Sequence, residues 1–273
     1  MSSNLPIYRT LRPVQAVSAQ SRPKITSPKN LLKALAGALF GVAIALLGMS
    51  RPTMLSEPLA AHLLALAWAA HAIVLQRTGA AQRWWGADVV GSFPRWRNML
   101  MMPLAAAAFP ACLYGMANQT TRWAAGGSFW HWLFVDLLFL YLLLDIAWVP
   151  RMGPVMLAHH VVCLVVHALE SFVFVAGFEL YLAGVVVIEL GSAACNVHTL
   201  YPRSRAALAL YVVGMTASNL GTLPCVFWWF ALEPTPPLLA RIIGALSVPG
   251  MLGSRQLVAL KVWRASAARS KDR

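Results

Sequence analysis

Runs of about twenty apolar residues recur along this chain, and they leave few folds open to it. They fall at about 31–49, 58–76, 98–117, 129–149, 154–176, 178–200, 206–231 and 238–262. Each run is continuous rather than alternating with period two, which argues against membrane β-strands. A helix rising about 1.5 Å per residue crosses a hydrocarbon layer about 30 Å thick in about 20 residues. The pattern therefore predicts an all-α, polytopic membrane protein of eight spans. Seven spans, with 31–49 lying on the membrane or cleaved away, is the alternative. Composition agrees: 11% of residues are charged, where a soluble domain carries about 25%. No stretch is left over for a separate soluble domain.

The breaks between runs carry the chain's punctuation. Arg51-Pro52, Pro150-Arg151, Gly153-Pro154 and Tyr201-Pro202-Arg203 stop or start helices. The segment 77–97 holds four arginines together with Trp84, Trp85 and Trp96, a mixture suited to the membrane–water interface. Pro103 and Pro110 interrupt the third span, Gly221 and Pro224 lie inside the seventh, and Pro249-Gly250 predicts a kink in the eighth. The Ala-rich stretch 104–108 suits close helix packing.

Charge tests the span count. With the N-terminus in the cytosol, the inner segments 1–30, 77–97, 150–153, 201–205 and the tail after 262 hold 16 Lys/Arg, and the outer connections hold Arg51 and Arg122 only. Such asymmetry predicts eight spans with both termini cytosolic. The net charge of +13 then lies in loops and tails, so its expected partner is anionic membrane lipid rather than nucleic acid. Residues 1–30 contain five Lys/Arg and no acid. They read as a basic, disordered cytosolic tail, with an organelle transit peptide as the alternative. Residues 263–273 read as a second basic tail. The four cysteines, Cys112, Cys163, Cys195 and Cys225, all fall in apolar segments without a C-x-x-C pair, so neither a disulfide framework nor a thiolate metal site is expected.

Five of the nine acidic residues lie between Asp136 and Tyr201, in apolar helices that also carry His159, His160, His167, Asn196 and His198. A charge at the centre of a membrane helix costs about 2.5–3.5 kcal/mol even on mild scales, so such groups face a protein interior or a wet cavity and are paired. Counting 1.5 Å per residue from the inner ends, Asp145, His159, His160 and Asn196 lie about 6–9 Å deep on three successive spans, with His167 and Glu189 nearer the midplane. His160, Cys163, His167 and Glu170 or Ser171 form one helix stripe, and Glu189, Ser192 and Asn196 form another. The two spans are joined by almost no loop, so the stripes are expected to meet on a shared cavity open toward the cytosolic leaflet. Adjacent imidazoles diverge by about 100° on a helix, so only one of His159 and His160 faces the cavity squarely. Interhelical hydrogen bonding is the structural alternative for Asp145, Ser192 and Asn196. A metal is not expected, because His160 and His167 stand two turns, about 10 Å, apart.

This constellation resembles the TLC-domain family, which includes the ceramide synthases, the translocating-chain-associating proteins and smaller lipid proteins. The matching residues are Tyr141 and Asp145 in FLYLLLDIAW, the His159-His160 pair in MLAHHVVCLVV, the IELGSAACN run from Ile188 to Asn196, and Trp96-Arg97-Asn98 at the start of the third span. The resemblance covers about residues 58–262 and leaves 31–57 as an extra N-terminal span with its connection. It implies a ring of membrane helices around a lipid-sized cavity and a place in the endoplasmic reticulum. The synthases' His-Asp and second acid are absent, since the corresponding helix reads GVVVIELGSAACN with Glu189 alone, and their S-x-x-H after W-x-N is also missing. The chain is thus closer to the non-synthase members.

Two functions follow as expectations. One is lipid homeostasis through binding of acyl lipids, with Tyr141, Cys163, His167, Ser192 and Asn196 lining the cavity. The other is ceramide-synthase-type acyl transfer, in which His159 or His160 acts as nucleophile or base, Asp145 or Glu189 fixes its tautomer, and Arg95 and Arg97 attract an acyl-CoA donor. No cofactor is implied by either. A transporter built on helices broken at Pro224 and Pro249-Gly250, with Arg255 inside a span, is a third class.

Overall fold

The computed structural model describes residues 56–90, 93–148, 154–173, 177–232 and 238–271. The expected tail 1–30 and first span 31–49 lie outside the described residues. Elsewhere the apolar runs are helices: α1 (Glu57–Arg77), α2 (Ala80–Trp85), α3 (Arg95–Ala117), α4 (Phe129–Trp148), α5 (Pro154–Phe172), α6 (Phe178–Leu200), α7 (Arg205–Leu232) and α8 (Leu238–Lys271). A short ribbon pairs β1 (Val89–Val90) antiparallel with β2 (Phe93–Pro94) immediately before α3. Five helices, α1, α3, α4, α6 and α7, are long and apolar enough to cross a membrane, and α5 contributes the shorter apolar stretch Leu157–Phe172. The chain is an all-α membrane protein. Helix α8 continues through Lys271, so the basic segment from residue 263 to that point is helical.

Contacts fix the helix directions. Phe129 N–H at the start of α4 donates to Glu57 at the start of α1, and His62 pairs with Asp136 one to two turns further along, so α1 and α4 run parallel. Arg97 near the start of α3 meets Asp145 near the end of α4. His160 near the start of α5 meets the same Asp145, and His167 further along α5 meets Tyr181 near the start of α6. Thr216 and Asn219 of α7 meet Gln256 and Leu252 of α8 in antiparallel register. Successive long helices therefore alternate in direction among the described residues, as short connections demand.

Small residues set the closest approaches. Ala61, Ala65, Ala69 and Ala72 form the buried stripe of α1 facing α4, where spacing of three to four residues keeps one face bare enough for close packing. The buried core continues through Met101, Phe109, Phe134, Tyr141, Phe178 and Leu182. Gly115 of α3 sits under the Trp130 indole, where any Cβ would lie 2.3 Å from the ring. Between its two prolines α3 opens into a π-helical turn, Leu104–Ala108. Pro110 has no N–H to offer the Ala106 carbonyl, so the ladder slips there instead of breaking. The helices α7 and α8 run on through Pro224 and Pro249 without interruption. The broken helices expected of a transporter are thus continuous.

The tryptophans of the basic segment pack as a small core. Trp85 and Trp96 are buried with Leu75, Ala80, Ala81 and Leu100, and Trp96 lies edge-on to Trp148. At the opposite end, the connection between α3 and α4 folds back over the bundle. Trp123 N–H donates to Glu179 at 2.9 Å, its indole donates to the Ser171 carbonyl at 2.8 Å, and its ring stacks on Phe178.

Candidate functional site

Asp145 is the centre of the buried polar core. Four residues before it on the same face of α4 is Tyr141, and both side chains are buried. Arg97 reaches Asp145 because the β1–β2 ribbon delivers the chain to Pro94, and α3 starts there, placing Arg97 in its first turn facing α4. Its Nε donates to Asp145 Oδ1 at 2.6 Å and its Nη2 donates to Oδ2, a bidentate fork on one carboxylate. The same guanidinium reaches the Asn98 amide oxygen at 3.2 Å and the Tyr141 hydroxyl at 3.4 Å, and lies 4.1 Å over the Phe93 ring. Only 3% of Arg97 and none of Asp145 is exposed, which a lone charge of either sign could not tolerate.

His160 completes the chain from α5. Its Nε2 lies 3.1 Å from Asp145 Oδ2. An ionised carboxylate only accepts, so the imidazole donates Nε2–H to it. The carboxylate therefore orients this histidine. Because Arg97 already neutralises Asp145, the carboxylate orients the ring more than it supports an imidazolium.

The two histidines of the pair separate as their 100° divergence requires. His160 is buried, whereas His159 is exposed on the outer face of α5, its ring 3.7 Å from the half-buried Cys163 sulfur. His167 is wholly buried on the His160 stripe, but both its ring nitrogens are engaged: Nε2 with the Val135 carbonyl at 3.0 Å and Nδ1 with the Tyr181 hydroxyl at 3.1 Å. It ties α4, α5 and α6 together rather than facing a cavity. Glu170 and Ser171 follow on the same buried stripe.

Glu189 enters from α6 within electrostatic reach of Arg255, Arg97, Asp145 and His160. Its Oε2 is shielded and has no hydrogen-bond partner among the described residues. Ser192, one turn on, accepts from Arg255 Nη1 at 3.3 Å. Asn196 is half-buried and makes no hydrogen bond among the described residues. Arg255 itself comes from α8. It also donates to the Ile188 carbonyl at 2.9 Å and to Asn219 at 3.3 Å, and Asn219 continues to Gln256 and Thr216. Two arginines thus flank Asp145 and Glu189 inside the bundle, a set whose formal charges cancel.

Of the two arginines expected to attract an anionic donor, Arg97 is instead buried in the core, bonded to Asp145. Arg95, two residues earlier, stays at the helix end and donates to the Leu200 carbonyl at 3.2 Å. The residues that spacing did not bring into the site are Arg255, Asn219 and Gln256. Their signal was a cation inside an apolar span, which must find an acid or a row of acceptors. Among the described residues no group of three His, Cys, Asp or Glu side chains is placed to hold a metal ion. No protein-family model, no curated protein and no solved structure matches the chain, so the site's chemistry rests on its own residues.

Proposed function

We propose that this is a TLC-like, multi-span membrane protein that acts in membrane lipid homeostasis by holding an acyl lipid against the polar core of α3, α4, α5, α6 and α8. In this reading α5 and α8 cross the bilayer with the five longer apolar helices, the segment before residue 56 adds one more span, and the endoplasmic reticulum is the membrane concerned. The observation that carries the reading is Glu189. A shielded carboxylate oxygen without a hydrogen-bond partner among the described residues, near an imidazole held by Asp145, is costly inside membrane helices and suits a ligand that brings a donor, such as the amide or hydroxyl of a lipid headgroup region.

Acyl transfer is the second reading, supported by one geometric fact. Asp145 accepts from His160 Nε2–H and orients the ring, the relation a nucleophile or base needs to its orienter. His159 has no part in this version.

The test is lipidomics of membranes containing wild type, His160→Ala or Glu189→Gln at matched expression, with the lipids that co-purify. Holding a lipid predicts a profile different from cells without the protein and a co-purifying lipid that Glu189→Gln loses. Acyl transfer predicts a product class that accumulates with wild type and not with His160→Ala. Profiles identical to cells without the protein, with no co-purifying lipid, would overturn both.

A further inference from the structure

A furrow runs along the membrane face of the bundle where α3 meets α6 and α7. Its walls are Met102, Pro103 and Ala106 on one side and Ala193, Ala194 and Val197 on the other, and its volume is about 270 Å³. It exists because the widened turn at Leu104–Ala108 and the alanines opposite leave space that ordinary side chains would fill. Leu190 and Leu210 on its rim are about half exposed, so it opens outward, toward where lipid chains lie, and not into the Asp145 core.

One end of the furrow is cationic. Arg95 binds the Leu200 carbonyl one turn beyond Val197 on α6, and its Nε is shielded without a hydrogen-bond partner among the described residues. Arg203 and Arg205 stand exposed in the adjoining turn from α6 to α7. Among the described residues the exposed acid at this end is Asp88, whose backbone carbonyl accepts from Arg95 N–H. Three arginines against one aspartate leave the rim positive.

The geometry points to a binding site for an anionic diacyl phospholipid, one acyl chain lying in the furrow and the phosphate meeting Arg95, Arg203 and Arg205. A chain in the furrow alone would be ordinary solvation by the bilayer. The arginines at its α6 end supply selection by charge, because membrane-edge cations favour anionic lipid. The inference rests on the membrane-spanning character of α3, α6 and α7 and not on any property of His160.

Native mass spectrometry of the full chain with phosphatidylglycerol and phosphatidylcholine tests it. Wild type should retain phosphatidylglycerol with a preference on the order of tenfold. Ala106→Phe, which fills the furrow from its open side, should lose retention of both lipids to the level of non-specific adducts. Arg203→Gln/Arg205→Gln, at exposed positions that the fold does not need, should lose the preference while keeping retention. Arg122→Gln, exposed at the opposite end of α3, should change neither, and because the furrow and its rim share no residue with the Glu189 and His160 variants, a failure here is distinct from a failure of the proposed function. Equal retention of the two lipids by wild type, or an undiminished preference in a folded Ala106→Phe, would overturn the site. So would a dimer that Ala106→Phe abolishes without any lipid involved, since the furrow would then seat a second copy.

Discussion

Arg97 and Asp145 are individually intolerable and jointly stable, so they should be mutable only together. Arg97→Met leaves a buried carboxylate with its guanidinium gone and should cost about 3–5 kcal/mol. Arg97→Met/Asp145→Leu removes both charges and should recover most of that loss, because the apolar replacements need no solvation. Thermal midpoints of the detergent-purified variants measure this, and additive losses would mean that the two residues are not coupled. The histidine pair offers a second contrast. His160→Ala deprives Asp145 of a donor and should cost about 1–3 kcal/mol. His159→Ala, on the exposed face, should stay within about 0.5 kcal/mol of wild type. The Asp145–His160 meeting was legible from depth counting and from the stripe, because helix geometry makes both calculable. Which histidine faces inward was not, since the rotation of α5 depends on its neighbours. The place of Arg97 was not legible, because it sits where loop becomes helix and spacing alone does not say that its side chain turns inward.

Helix α6 packs on α7 through its glycines, and they are unequal. A Cβ at Gly191 would come within 2.1 Å of the Ser218 hydroxyl and 3.0 Å of the Arg255 guanidinium, whereas one at Gly184 would meet nothing nearer than the Cys225 Cβ at 3.5 Å. Gly191→Ala should therefore destabilise the protein by about 1–3 kcal/mol through overpacking. Gly184→Ala should be neutral or slightly stabilising, since alanine has the higher helix propensity. Melting of the two variants side by side decides whether Gly191 sets the helix spacing, and equal effects would refute it. At this scale the helix ends were legible from Pro, Gly and Arg, and α6 ends at Leu200 as expected. The π turn in α3 was not, because two prolines at that spacing are compatible with a kink, a break or a slipped ladder, and packing chooses among them. Continuity through Pro224 and Pro249 was hidden for the same reason.

Across the whole molecule the alternating helices carry Arg77, Arg83, Arg95, Arg203, Arg205 and Arg264 to one end, while the connection at the other end of α3 holds Arg122. Basic residues favour the side from which the chain is inserted, so the arginine-rich end should face the cytosol. Single cysteines at exposed sites can test this with a charged, impermeant thiol reagent, because the native cysteines lie in apolar helices that such a reagent does not enter. Arg83→Cys and Arg203→Cys should label only when the cytosolic side is opened, and Gln119→Cys only from the opposite side. The first two positions are separated by α3, α4, α5 and α6, an even number of crossings, so agreement between them requires α5 to span despite its short apolar stretch. If Arg83→Cys and Arg203→Cys labelled from opposite sides, α5 would be a re-entrant or interfacial helix, and His160 would reach Asp145 from a segment that does not cross. If all three labelled from one side, α3 would not cross the membrane, and the furrow between α3 and α6 would not face lipid.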